Sequence, residues 1–131
     1  MKPFLDTNVL VYAVLSDDPR RPTAERLLAA GGTISVQVLN EFANVARGKL
    51  NWPWLDIEAT LALVRSRSRR VRDIAVSTHE AALLLARDHC LAFYDALIVA
   101  AALEAGCDTL FTEDMQHGRK FGSLTIINPF I

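Results

Sequence analysis

Eight apolar residues at positions 96–103 make the first demand on the fold. Wound as a helix they leave no polar face, so that helix has to be enclosed by other elements. The run is far short of the ~18 residues that would cross a membrane. Tyr94 or Asp95 opens the helix, and Gly106 stands where a left-handed C-cap belongs.

The rest of the chain supplies the enclosing layers. Short apolar or β-branched runs at Phe4-Leu5, 33–35, 74–76, 109–112 and 124–127 read as five strands. Helical patterns lie between them. Val9, Leu10, Val11, Tyr12 and Val14 follow the first strand, and a helix from Pro22 or Thr23 carries Ala24, Leu27 and Leu28 before Gly31-Gly32. Val38, Leu39, Phe42, Val45 and Ala46 recur at helical spacing. Asp56 is a suitable N-cap for a helix with Ile57, Leu61 and Val64, and Ser77 with Glu80 forms a capping-box pattern before Ala81, Leu84 and Leu85. This alternation predicts one α/β domain over residues 1–131, a three-layer α/β/α arrangement around a central, mainly parallel five-stranded sheet.

A chain of 131 residues with 51% hydrophobic and 22% charged residues has the apolar content for one core and too little length for two ordinary domains. The 14 Lys+Arg against 15 Asp+Glu leave a net charge of -1, so any polyanion partner has to be held locally. Cys90 and Cys107 have neither CxxC spacing nor a His cluster beside them, which argues against a disulfide framework or a zinc site and fits reduced thiols in a cytoplasm. Asp6 interrupts the apolar start before a signal-peptide core can form, so export is not expected.

In open parallel sheets the ligand crevice lies outside the carboxyl ends of the strands. Here those places are acidic. Asp6 ends the first strand, Glu41 lies about two turns into the helix after the second, Asp95 opens the apolar helix, and Asp114 follows the fourth strand. Glu41 borders the buried face, because Val38 and Val45 lie within about 60° of it on the helical wheel. Each acid also has a plain structural job open to it: Asp95 as an N-cap, Asp114 as a turn residue, Asp6 with Asn8 as helix initiators. Gathered in one crevice they repel, by roughly 3 kcal/mol per ionised pair at ~5 Å and an effective dielectric of ~20. A divalent cation relieves that cost. An all-oxygen donor set without Cys or His suits Mg²⁺ or Mn²⁺, ions that retain waters and meet phosphate, so the pattern points to metal-dependent phosphodiester hydrolysis.

The same residues resemble the PIN-domain ribonucleases, in particular the VapC toxins of bacterial toxin-antitoxin pairs. The resemblance covers nearly the whole chain. It rests on Asp6-Thr7-Asn8 after the first strand, Ser35 with Glu41 six residues on, Asp95 at the head of an apolar helix, Thr112-Glu113-Asp114 after the fourth strand, and the ending Ile127-Asn128-Pro129-Phe130. It implies a Mg²⁺- or Mn²⁺-dependent endoribonuclease with Asp6, Glu41, Asp95 and Asp114 as catalytic acids. Asp6, Asp95 and Asp114 are then metal ligands, with Asn8 and Thr112 in support. The family's Thr-any-Asp pattern puts the acid at Asp114, with Glu113 beside it as an assisting residue. The resemblance also implies an RNA substrate, a homodimer and a cognate VapB-like antitoxin that covers the acidic site.

Five of the 14 basic residues, Arg65, Arg67, Arg69, Arg70 and Arg72, precede the expected third strand and belong at the amino end of the sheet, away from the crevice. Arg119 and Lys120, after Asp114, are the better candidates for touching RNA phosphate, with Arg47 and Lys49 next and His117 outside the catalytic set. Trp52 and Trp54 suit either the core or an antitoxin groove. Two alternatives stay open. A Mg-dependent phosphatase would want an Asp two residues after Asp6, where Asn8 stands; a non-catalytic PIN-like interaction or regulatory domain would be free to lose one of the acids, yet Asp6, Glu41, Asp95 and Asp114 are all present.

Overall fold

The computed structural model describes residues 1–131. β1 (Pro3–Leu5) leads through Asp6 into α1 (Thr7–Val14), and α2 (Arg21–Ala30) returns the chain to β2 (Thr33–Ser35). α3 (Val36–Gly48) and α4 (Trp54–Arg67) connect to β3 (Arg70–Arg72), and α5 (Val76–His89) and α6 (Phe93–Glu104) connect to β4 (Thr109–Phe111). A hairpin of β5 (Lys120–Phe121) and β6 (Leu124–Ile127) completes a sheet of order β3-β2-β1-β4-β6-β5. All pairs are parallel except β5 with β6.

The α/β class and the mainly parallel sheet are as expected, with a short antiparallel strand added at one edge. β5 escaped the sequence reading because a two-residue strand has no alternation to detect; Phe121 is its one buried side chain. The third strand is Arg70–Arg72 rather than 74–76. As the edge strand it needs no apolar run on both faces: Val71 packs on the core while Arg70 is exposed. Ile74 also packs on the core from the following segment, and Val76 opens α5 with its side chain in solvent. The basic run is therefore not confined to the amino end. Arg65 and Arg67 finish α4, whereas Arg72 pairs with Ser35 at the carboxyl end of β2.

Four helix starts also differ from expectation, that of α2 by a single residue, at Arg21 before Pro22. α4 begins at Trp54, after Pro53, so Asp56 lies in the first turn rather than at the cap. α5 is opened by Thr78, whose hydroxyl accepts from Ala75 N–H at 3.2 Å and which is buried, in place of the Ser77–Glu80 box. α6 begins at Phe93, so Asp95 is within the first turn and is not its N-cap.

The apolar helix is enclosed as its composition demands. Ile98, Val99, Ala101 and Ala102 join the main core with Phe4, Leu5, Ile34, Leu110 and Ile126 of the sheet, while Ala96, Leu97 and Ala100 pack with Ala82 of α5. α6 thus separates the sheet from α5. No helix is long and apolar enough to cross a membrane.

Gly32, just before β2, lies against Leu5. An added Cβ would stand 2.7 Å from Leu5 Cγ, and Leu5 is fully buried. Gly32→Ala is expected to lower stability by about 1–3 kcal/mol in urea unfolding. Gly48→Ala, with no neighbour within 4 Å, is expected to leave it unchanged or raised by up to about 1 kcal/mol.

Candidate active site

The connections from β1 and β4 diverge towards opposite edges of the sheet, so the carboxyl ends of these two strands flank its topological switch point. Asp6 follows one strand and Thr112 the other. Asp6 N–H donates to Phe111 O at 3.0 Å and Thr112 N–H donates to Ile127 O at 3.0 Å, which extends the ladder just beyond the strands. The Asp6 carboxylate caps α1, its Oδ1 accepting from Thr7 N–H at 2.7 Å, while Oδ2 accepts from the Thr112 hydroxyl at 2.8 Å. That hydroxyl in turn accepts from Asn8 Nδ2 at 3.3 Å and from Asp114 N–H at 3.1 Å. Its proton and both lone pairs are used. Asn8 Nδ2 also donates to Asp114 Oδ2 at 3.1 Å, tying α1 to the segment after β4.

Asp95 reaches the same point from the first turn of α6, where the helix dipole favours a carboxylate. Carboxylate oxygens of Asp6, Asp95 and Asp114 lie within 4.8 Å of one another. Glu41 stands beside this group. Its Oε2 accepts from Thr7 Oγ1 at 2.7 Å and its Oε1 from Gln37 Nε2 at 3.1 Å. Glu113 is engaged elsewhere: the Tyr12 hydroxyl donates to it, and Arg20 lies 3.6 Å away. The Arg20 guanidinium rests over the Tyr12 ring, 3.6 Å from its centroid, and is held there by Asp18 at 2.8 Å.

Electrostatically the site is incomplete as protein alone. Asp6 is 2% exposed, and burial pushes its carboxyl up to about 7 despite the bonds from Thr112 and Thr7, with the charges of Glu41 and Asp114 adding to the rise. Burial raises the Asp95 carboxyl as well, aided by Asp114 and Glu41. None of the ion pairs in the protein involves Asp6, Glu41, Asp95 or Asp114. Asn8 Oδ1 is buried there without a hydrogen-bond partner. Three converging carboxylates and an unused amide oxygen, none of them paired with a cationic side chain, form an all-oxygen donor set that fits a hard divalent ion with some of its waters.

A cleft of about 820 Å³ opens beside these acids, between α1 and α3. Arg119 and Lys120 do not line it. Arg119 donates to His89 O at 2.7 Å and lies over Phe121, and Lys120 is on the edge strand β5. Lys49, from the end of α3, does line the cleft. His117 Nδ1 accepts from Asn128 N–H at 3.0 Å, a bond that pins the loop to the chain end. Trp52 packs edge-on against Phe42, and Trp54 is exposed with Arg47 over its ring; the apolar part of the cleft comes instead from Val11, Leu15 and other residues of α1 and α3.

The sequence reading missed the residues that hold Glu41 and Glu113. Gln37 was detectable as an i, i+4 partner on the same helix face. Thr7–Glu41 and Tyr12–Glu113 join residues 34 and 101 positions apart, and no local pattern reports such pairs.

Fold and acids together define an α/β protein with an acidic centre at the switch point of a parallel sheet. A family model of the PIN domain matches residues 4–120, and the chain belongs to the PIN-domain family. Among solved structures it is similar to VapC20 of Mycobacterium tuberculosis, a Sarcin-Ricin loop cleaving toxin, at 24% identity over 86% of this chain and 92% of that one, with a TM-score of 0.72. It is also similar to VapBC2 from Rickettsia felis bound to a DNA fragment from their promoter (22% identity, 96% and 97% covered, TM-score 0.68). A toxin-antitoxin complex from Klebsiella pneumoniae gives 20% identity, 98% of each chain and a TM-score of 0.72. No curated protein sequence matches the chain significantly.

The carboxyl of Asp6 binds its proton more tightly in the folded protein than in the unfolded chain, at about 7 against 3.8. Its contribution to stability is therefore fully present at low pH and is lost as pH rises through this window. In EDTA the melting temperature is expected to fall between about pH 4 and pH 7, and Asp6→Asn to flatten that fall. Mg²⁺ or Mn²⁺ at about pH 8 is expected to raise the wild-type melting temperature by several degrees and that of Asp6→Asn by much less. A wild-type melting curve indifferent to both ions at that pH overturns the metal fit.

Proposed function

We propose that this chain is a metal-dependent endoribonuclease that hydrolyses RNA phosphodiester bonds, the toxin component of a VapBC-type toxin-antitoxin pair, with Mg²⁺ or Mn²⁺ as its ion. The observation that carries this reading is the convergence of Asp6, Asp95 and Asp114 to within 4.8 Å beside an open cleft. Membership of the PIN-domain family supports nuclease chemistry. The likeness to a Sarcin-Ricin loop cleaving toxin and to toxin-antitoxin complexes supports RNA as substrate and a VapB-like antitoxin as partner. The proposal includes a homodimer, a cytoplasmic setting consistent with two free cysteines, and residues 1–131 acting as one domain around the main core.

Asp6, Asp95 and Asp114 would hold the ion, which when bound supplies charge neutralisation at the phosphate and a lower pKa for the attacking water. The chain's own groups do the positioning. Thr112 and Asn8 orient Asp6 and Asp114 through the hydrogen bonds described above. Thr7 and Gln37 hold Glu41 at the rim, where its carboxylate orients water or accepts its proton. Tyr12 and Arg20 occupy Glu113, which leaves Asp114 as the acid of that segment. Lys49 on the cleft wall is a better placed phosphate contact than Arg119 or Lys120.

Purified protein is expected to cleave a mixed cellular RNA pool with Mg²⁺ or Mn²⁺ and to stop in EDTA. Asp6→Ala and Asp95→Ala are expected to abolish cleavage, and Thr112→Val to reduce it by about 10–100-fold, as for groups that orient ligands. Cleavage that survives EDTA, or that matches wild type in Asp6→Ala, would sink the assignment. A metal-induced melting shift without any cleavage points instead to a regulatory domain.

A further inference from the structure

The acids account for one end of the cleft and leave the exposed amides of its α3 wall unexplained. Asn40 and Asn44 sit one turn apart on that wall, both exposed, both lining the cleft and neither with its side-chain amide hydrogen-bonded within the protein. The neighbouring amide, Gln37, is by contrast committed to Glu41. Tyr94, immediately before Asp95 in the first turn of α6, lines the same cleft with 61% of its surface in water. Its only aromatic neighbour is Phe93, in edge contact.

These groups have a common chemistry. A carboxamide offers a donor and an acceptor in one plane, the pattern that matches the edge of a nucleobase. An exposed aromatic ring is a stacking platform for a base that has left its own stack. Neither is of use against an intact RNA duplex, whose bases are stacked and whose deep groove excludes side chains. Lys49 on the same wall meets the charge of a phosphate backbone.

We propose that Tyr94, Asn40 and Asn44 form a base-reading subsite beside the acids: Tyr94 stacks an unpaired base next to the scissile phosphate, and the two amides hydrogen-bond the edge of an adjacent base. This rests on the endoribonuclease reading for its substrate, and the test separates the two.

Binding is measured by fluorescence anisotropy with short homopolymers of A, C, G and U on the Asp95→Asn protein, which requires no cleavage. One homopolymer is expected to bind about 10-fold or more tightly than the weakest, and Asn40→Ala with Asn44→Ala on that background to erase the preference. Tyr94→Ala is expected to weaken every homopolymer by about 10-fold and Tyr94→Trp to preserve binding. On the otherwise wild-type chain, Asn40→Ala with Asn44→Ala is expected to flatten the base preference at mapped cut sites, and Tyr94→Ala to raise KM more than it lowers kcat. Absent binding, or affinities and preferences that these exposed substitutions leave unchanged, overturns the subsite. Selective binding that the substitutions erase, in a wild-type chain that cleaves no RNA, refutes the nuclease reading and leaves the subsite standing.

Discussion

A carboxylate that is 2% exposed must be satisfied from inside the protein, and at Asp6 that requirement organises everything around it. One oxygen is met by the first backbone N–H of α1 and the other by the Thr112 hydroxyl. The second bond exists only because Leu5 pairs with Phe111, which brings the residues that follow β1 and β4 level with each other. The hydroxyl then has two lone pairs to offer, and they fix Asn8 and the backbone of Asp114. Strand register, helix start and loop conformation are coupled through a single side-chain oxygen.

That coupling does not neutralise the site. The bonds to Asp6 lower its affinity for a proton, but burial outweighs them, and the neighbouring acids push in the same direction as burial. A protein selected for stability alone would place an arginine here, and one is close by: Arg20 is bound instead to Asp18, Tyr12 and Glu113. Its attachment removes Glu113 from competition with Asp114, and the Tyr12 phenol is pushed up to about 12 by burial and by Glu113. Local destabilisation retained while a suitable cation is tied up nearby is a pattern that concentrates at functional sites.

Much of this was legible one residue at a time. Asp6, Asp95 and Asp114 each stand at a strand end or a helix start, positions that a parallel α/β topology sends to one edge, so order along the chain was enough to collect them. Asp95 was expected to open the helix and lies within its first turn instead, a displacement that still leaves its carboxylate within 4.8 Å of those of Asp6 and Asp114. The errors fall where local pattern carries no information. An edge strand of Arg70-Val71-Arg72 has no apolar run to betray it, and a two-residue strand has no period. Arg119 follows Asp114 closely in sequence, yet the hairpin carries it to the end of α5, where it donates to His89 O.

The class of fold and the chemistry of the donors follow from residues close together in the chain. A helix with no polar face requires layers on either side, and oxygen-only acids at strand ends require a hard counter-charge. Which acids converge and which stand apart is settled by long-range contacts. Asp6, Asp95 and Asp114 come together, Glu41 is held to the side by Thr7 and Gln37, and Glu113 is claimed by Tyr12 and Arg20. Periodicity and propensity act over one or two turns, whereas these choices are made by hydrogen bonds between side chains as many as 106 residues apart, which form only once the sheet register has brought their strands together.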